Sequence, residues 1–199
     1  MVPHVNVEIK ARCRDLGAAR NILLRLGARL VGPDHQRDTY FRVPNGRLKL
    51  REGQIENNLI FYARPDQTGP KRSDVILVGT RPGSDLEALL TAALGQTVVV
   101  EKRREIYFVE VSDIALPDDP TAPDRARGRE NVKVHLDTVT DLGAFVEIEA
   151  IDLDDTLGTA LLDAQCRRLM DRLGIDAGDL EPASYSDLIL AHRGRSATA

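Results

Sequence analysis

The sequence predicts an α+β protein: an eight-stranded antiparallel closed barrel, with amphipathic helices packed outside and charges within. Three observations carry this prediction. Short segments with a two-residue period place charged residues on one face and Val, Ile or Leu on the other. The charged faces are also sorted by sign, with cations at 47–51, 64 and 102–104 and carboxylates at 8, 137, 147 and 149. Finally, eight such strands suffice to close a small barrel, which removes exposed edges. For one strand alone, the alternation equally describes the solvated face of an open sheet. Recurring on strand after strand, it describes a polar lumen, which is expensive unless a ligand or water compensates its charges.

The elements follow in order. The first strand alternates Asn6, Glu8, Lys10 and Arg12 with Val5, Val7, Ile9 and Ala11. A helix over 15–28 carries Leu16, Ala19, Ile22, Leu23 and Leu26 at helical spacing, with Asp15 as N-cap and Gly27 near its end. Strands over 36–43 and 47–51 flank the turn Pro44-Asn45-Gly46, and the second presents Arg47, Lys49 and Arg51. Two more, over 59–64 and 73–78, flank a turn at 66–69. The next helix, over 84–94, opens with Ser84 and Glu87 at capping-box spacing and stops at Gly95. A strand over 98–109 brings Lys102 and Arg104.

Residues 112–131 hold Pro117, Pro120 and Pro123 among Asp118, Asp119, Asp124, Arg125, Arg127 and Arg129, a composition that predicts a mobile surface loop. The alternative reading is a flap ordered by an anionic ligand. Strands over 132–137, with Lys133, His135 and Asp137, and over 144–151, with Glu147 and Glu149, complete the barrel. A third helix, capped by Asp154 or Asp155, runs through Leu157, Ala160, Leu161, Leu169 and Leu173 to Gly174. The whole reads as a single domain over 1–191 with a frayed tail at 192–199.

Composition narrows the function classes. A net charge of −4 gives no general reason to expect nucleic acid as partner. No apolar run is long enough to span a membrane, and Met1-Val2-Pro3-His4 opens no signal peptide, so no membrane partner and a cytoplasmic location are expected. Cys13 and Cys166 form no metal-ligand pattern and are expected to be free and structural.

The two charge classes divide the chemistry. Lysine offers a compact positive charge to phosphate, and arginine a planar fork that grips two oxygens. Lys10, Lys49, Arg51, Arg64, Lys102 and Arg104 make a natural cradle for a polyphosphate. Glu8, Asp137, Glu147 and Glu149 offer hard oxygen ligands for Mg²⁺ or Mn²⁺. His135 shares a strand face with Asp137; a structural hydrogen bond is its favoured reading over a metal or proton role.

These segments resemble the CYTH, or triphosphate tunnel metalloenzyme, superfamily. Val5-Asn6-Val7-Glu8-Ile9-Lys10 is similar to its ExExK strand. The likeness continues through 35–41, Arg47-Leu48-Lys49-Leu50-Arg51-Glu52, Glu101-Lys102-Arg103-Arg104, Val134-His135-Leu136-Asp137, 142–149 and Ser184-Tyr185-Ser186-Asp187-Leu188. Its flavour is nearest the class IV adenylyl cyclase branch. The resemblance implies a tunnel that binds a triphosphate with divalent metal held by Glu8, Glu147 and Glu149, with Asp137 near the metal. It implies phosphate binding at Lys10, Lys49, Arg51, Arg64, Lys102 and Arg104, with Lys10, Arg51 and Asp137 as catalytic residues. A homodimer is a further family-based expectation. Asn6 departs from the pattern: an amide keeps an oxygen donor but loses a charge, so a metal held there binds more weakly. The activity expected first is cyclisation of ATP to cyclic AMP and pyrophosphate. The alternatives are hydrolysis of tripolyphosphate, thiamine triphosphate or a nucleotide, and a module that binds a polyphosphate without turnover.

Overall fold

A computed structural model describes residues 4–111, 130–153 and 155–196. Its strands are β1 (His4–Arg12), β2 (Arg29–Phe41), β3 (Arg47–Glu52), β4 (Asn58–Ala63), β5 (Lys71–Gly79), β6 (Gln96–Val109), β7 (Val132–Val139) and β8 (Gly143–Asp152). All pair antiparallel and close in the order β1-β5-β4-β3-β2-β6-β7-β8, so the predicted barrel is present. Among the described residues four α-helices accompany it: α1 (Leu16–Arg25), α2 (Leu86–Leu94), α3 (Thr159–Leu173) and α4 (Tyr185–Ser196).

The outer face explains why the charges point inward. Val7 and Ile9 of β1, Val134 and Leu136 of β7, and Val146 and Ile148 of β8 pack with Leu23 of α1 and Leu161 and Leu169 of α3. Each such buried aliphatic side chain contributes about 1.5–3 kcal/mol. A one-residue slip on any of these strands would turn that set into the lumen and the charges into the helices, so register is strongly specified.

The boundaries hold several corrections. β2 begins at Arg29, well before 36, because a register shift between Leu30 and Gly32 absorbs the Gly32-Pro33 pair that reads as a break. Asp15 caps α1 as expected, its Oδ1 accepting the Ala18 N–H at 2.9 Å. The capping box at Ser84 does not form: α2 starts at Leu86 with no side-chain cap bond, and Glu87 instead takes a 2.8 Å hydrogen bond from Arg37. Nor does Asp155 cap α3, whose N-cap is Gly158; the Asp152 carboxylate accepts the N–H groups of Thr156, Leu157 and Gly158 ahead of the helix. Asp154 lies outside the described residues, as do 112–129 of the expected loop and 197–199 of the expected tail. His192 to Ser196 continue α4, a helix the sequence reading lacks because Leu188-Ile189-Leu190 show no helical spacing. The thiols are free, and Cys166 is buried with its Sγ 3.1 Å from the Val7 carbonyl oxygen.

Candidate functional site

The two-residue period brings Glu8 and Lys10 of β1, Lys49 and Arg51 of β3, Lys102 and Arg104 of β6, His135 of β7 and Glu147 and Glu149 of β8 into one lumen, joined by Arg64 just beyond β4. The chain ahead of α4 reaches the lumen, which Ser184 and Tyr185 help line. Lys10 Nζ donates to the Ala183 carbonyl at 2.9 Å, and Lys71 Nζ to that of Pro182 at 3.3 Å. Tyr185 adds its ring, 4.3 Å from Lys10 Nζ.

Buried Asp38 gathers three of the predicted phosphate-binding cations. Arg51 donates to it twice, at 2.9 and 3.0 Å, Lys49 at 3.0 Å and Lys102 at 2.7 Å. Burial alone would raise the Asp38 carboxyl, but Arg51, Lys102 and Lys49 hold it well below the usual carboxylate range. Lys102 is pushed down to about 7, first by burial and then by Arg51, Arg104 and Lys49, against the attraction of Asp38. Arg51 reaches further, donating at 2.7 Å to Glu56, which also accepts from Lys133 at 3.1 Å. Glu56 sits in the loop between β3 and β4. Asp34, fully buried on β2, shapes that loop by accepting the N–H groups of Gln54, Ile55 and Glu56 at 2.6, 3.0 and 3.0 Å.

Of the expected metal ligands, Glu147 and Glu149 share a cluster, whereas Glu8 is paired with Arg64 at 2.6 Å and Asp137 is held elsewhere. Arg104 grips it with two bonds, at 2.7 and 2.6 Å, and the Tyr185 hydroxyl donates to it at 2.9 Å. Its carboxylate is thus an anchor for Arg104, which also pairs with Glu147. The structural hydrogen bond expected of His135 is absent too. The ring is 1% exposed and neither nitrogen has a hydrogen-bond partner. Its Nδ1 lies 3.6 Å from Glu149 Oε1 and 3.9 Å from Glu147 Oε2, and one donor atom from each of the three falls within 4.8 Å of the others.

Leaving both ring nitrogens buried and unpaired is costly. A divalent cation between the imidazole and the two glutamates would partner one of those nitrogens, so these residues fit a metal; an imidazole beside carboxylates suits Mn²⁺ better than Mg²⁺. Glu8 pairs across the strands with Glu149. Burial first, and then repulsion by Glu149 and Glu147, raise its carboxyl against the pull of Arg64. The same cation would relieve that crowding. Glu147 is lowered well below the usual range because Arg104, then the neighbouring His135, and Lys10 outweigh its burial.

Sequence reasoning leaves out Asp38, Glu56, Lys71 and Lys133 as site residues. Lys133 carries a signal, since it shares the alternating face of His135. Lys71 directly follows Pro70, just before the segment recognisable as a strand, and Glu56 lies in a loop with no period at all.

An antiparallel barrel that turns a cation cradle and a His-Glu-Glu cluster inward defines a triphosphate-tunnel fold, suited to binding a triphosphate with a divalent metal. The CYTH domain profile matches residues 4–185, and the chain belongs to the CYTH family. Its fold is similar to that of the PH1012 protein from Pyrococcus horikoshii OT3, at 23% identity and TM-score 0.65, covering 92% of this chain and 98% of that one. It is also similar to a candidate adenylate cyclase from Vibrio parahaemolyticus, at 19% identity and TM-score 0.64 over 92% and 97% of the two chains. A third likeness is to HpAC1 from Hippeastrum, a candidate adenylyl cyclase with a dominant triphosphatase activity, at 10% identity and TM-score 0.54 over 96% of each chain. No curated protein matches the chain in sequence. Among the described residues, no helix is long and apolar enough to cross a membrane.

Proposed function

We propose that this protein is a metal-dependent triphosphatase. The observation that carries the reading is the juxtaposition, in one lumen, of cations ordered by Asp38 with the cluster of His135, Glu147 and Glu149. Lys49, Arg51 and Lys102 converge on a single carboxylate, so they already present their donors to one small anionic volume. Phosphate oxygens would bind beside that carboxylate, on the lumen side of the three cations. Arg104, fixed by Asp137, and Lys10, fixed by the Ala183 carbonyl, keep their charges in place without having to reorganise during the reaction. Mg²⁺ or Mn²⁺, held by His135, Glu147 and Glu149 with Glu8 alongside, would neutralise phosphate charge and polarise the phosphorus. Attack by water on the terminal phosphorus breaks its bond to the bridging oxygen, releasing orthophosphate. The basic side chains hold the leaving diphosphate.

The dominant triphosphatase activity of HpAC1 supports hydrolysis as chemistry this fold accommodates. Cyclisation of ATP is the second reading, supported by the Vibrio parahaemolyticus candidate cyclase. Incubating the protein with ATP and, separately, tripolyphosphate in Mg²⁺ or Mn²⁺, and resolving the phosphorus products, separates the two. Hydrolysis predicts orthophosphate from at least one of them, lost by at least about 100-fold in Glu147→Gln. Cyclic AMP with pyrophosphate would overturn hydrolysis in favour of cyclisation, and no product from either compound would leave a binding module.

A further inference from the structure

Glu56 ties together strands that are not neighbours. Its Oε2 accepts from Arg51 of β3 at 2.7 Å, and its Oε1 from Lys133 of β7 at 3.1 Å. In the barrel, β2 and β6 lie between those two strands, and all three residues line the lumen, so the bridge crosses it. Gln36 of β2 adds a third donor at 3.1 Å. The side chains of Glu56 and Lys133 are 16% and 24% exposed, so the bridge lies within reach of water. Burial alone would raise the Glu56 carboxyl, but Arg51 and then Lys133 hold it well below the usual carboxylate range.

Arg51 does not need this contact to be oriented. Its Nε and Nη2 are already fixed on Asp38, and only Nη1 turns to Glu56. Nor does the carboxylate hold its own loop, whose backbone N–H groups at 54, 55 and 56 are bound by Asp34. What Glu56 does is place an anion between two cations, as a pair of phosphate oxygens would. We infer that the Glu56 carboxylate is a built-in competitor, which occupies a phosphate position between Arg51 and Lys133 and turns aside when a triphosphate enters. Because the backbone at residue 56 is pinned, the movement is a rotation of the side chain toward solvent. A triphosphate displaces it because its other phosphates also gain Lys49 and Lys102, which are bonded to Asp38 instead. After hydrolysis the carboxylate reclaims Arg51 and Lys133, which lowers affinity for the diphosphate left behind. The inference rests on the tunnel being the triphosphate site, and it names how that site is kept from retaining its product.

Calorimetric titration with tripolyphosphate and, separately, pyrophosphate in excess Mg²⁺ tests it, in the unaltered protein, Glu56→Gln and Glu56→Ala. The first variant keeps the side chain's volume and removes its charge, and the second removes the acceptor as well. Freeing two charge-assisted bonds for the ligand is expected to tighten both anions by at least about tenfold in Glu56→Ala. In Glu56→Gln, whose amide oxygen still accepts, the gain is expected to be at least about threefold. A purely structural Glu56 gives the opposite sign, because Arg51 and Lys133 would lose their order. Affinity unchanged or weakened in both variants would therefore overturn the competitor while leaving the tunnel reading intact. Binding of tripolyphosphate to none of the three proteins would overturn the tunnel reading, and the competitor with it.

Discussion

Asp38 is the residue around which the cation set is organised, and Lys102 is its most pH-sensitive member. Asp38 and Glu56 cannot fully neutralise Lys49, Arg51, Lys102 and Lys133, so the group retains positive charge that would meet an incoming phosphate. Burial and neighbouring cations place Lys102 at about 7, and its ammonium is the form that would bind phosphate. As pH rises through that value the cation is lost, so affinity should fall. Between about pH 7 and about pH 9, the dissociation constant for tripolyphosphate is expected to rise by roughly tenfold. Lys102→Arg, charged throughout, should flatten the profile. A titration showing the same slope in both proteins would remove Lys102 from the phosphate site.

The loop between β3 and β4 shows how an element without internal periodicity is nonetheless fixed. Three of its backbone N–H groups converge on the Asp34 carboxylate, and Gln36 adds a fourth donor at 2.8 Å. Gly53 is required at the loop's start, because a Cβ there would stand 2.7 Å from an Asp34 carboxylate oxygen. Asp34→Ala would remove the acceptor shared by one buried and three part-buried donors and is expected to cost about 3 kcal/mol of stability, read from urea unfolding. Since Glu56 rides on this loop, substrate affinity should change as well. A loss under about 0.5 kcal/mol would mean that the loop is held by other contacts. None of this was legible beforehand: Asp34 contacts Gln54, Ile55 and Glu56 only once β2 and β3 have paired. Strands were easier, since alternation such as that of 5–12 or 132–137 depends on local sequence alone. The missed start of β2 and the missed α4 mark where a bulge, or three consecutive apolar residues, erase the period.

At the scale of the whole molecule, the closed barrel follows from an apolar outer face covered by α1 and α3, which leaves the charged faces nowhere to go but inward. The sign sorting along the chain therefore foretold the barrel and its inward-facing cations. It did not foretell the pairing inside. Whether Asp137 meets a metal or Arg104, and whether His135 finds a hydrogen bond or two glutamates, depends on how strand tilt sets side chains across the lumen. The contacts of residues 182–185 with Lys10 and Lys71 likewise join segments remote in sequence. The central claim is that one lumen holds a divalent metal and a triphosphate side by side. Its most direct test is a crystal soaked with Mn²⁺ and tripolyphosphate, examined by anomalous scattering. The account predicts a manganese peak among His135, Glu147 and Glu149, with phosphate oxygens against Arg51 and Lys102. Manganese bound elsewhere, or tripolyphosphate confined to the outer surface, would contradict it.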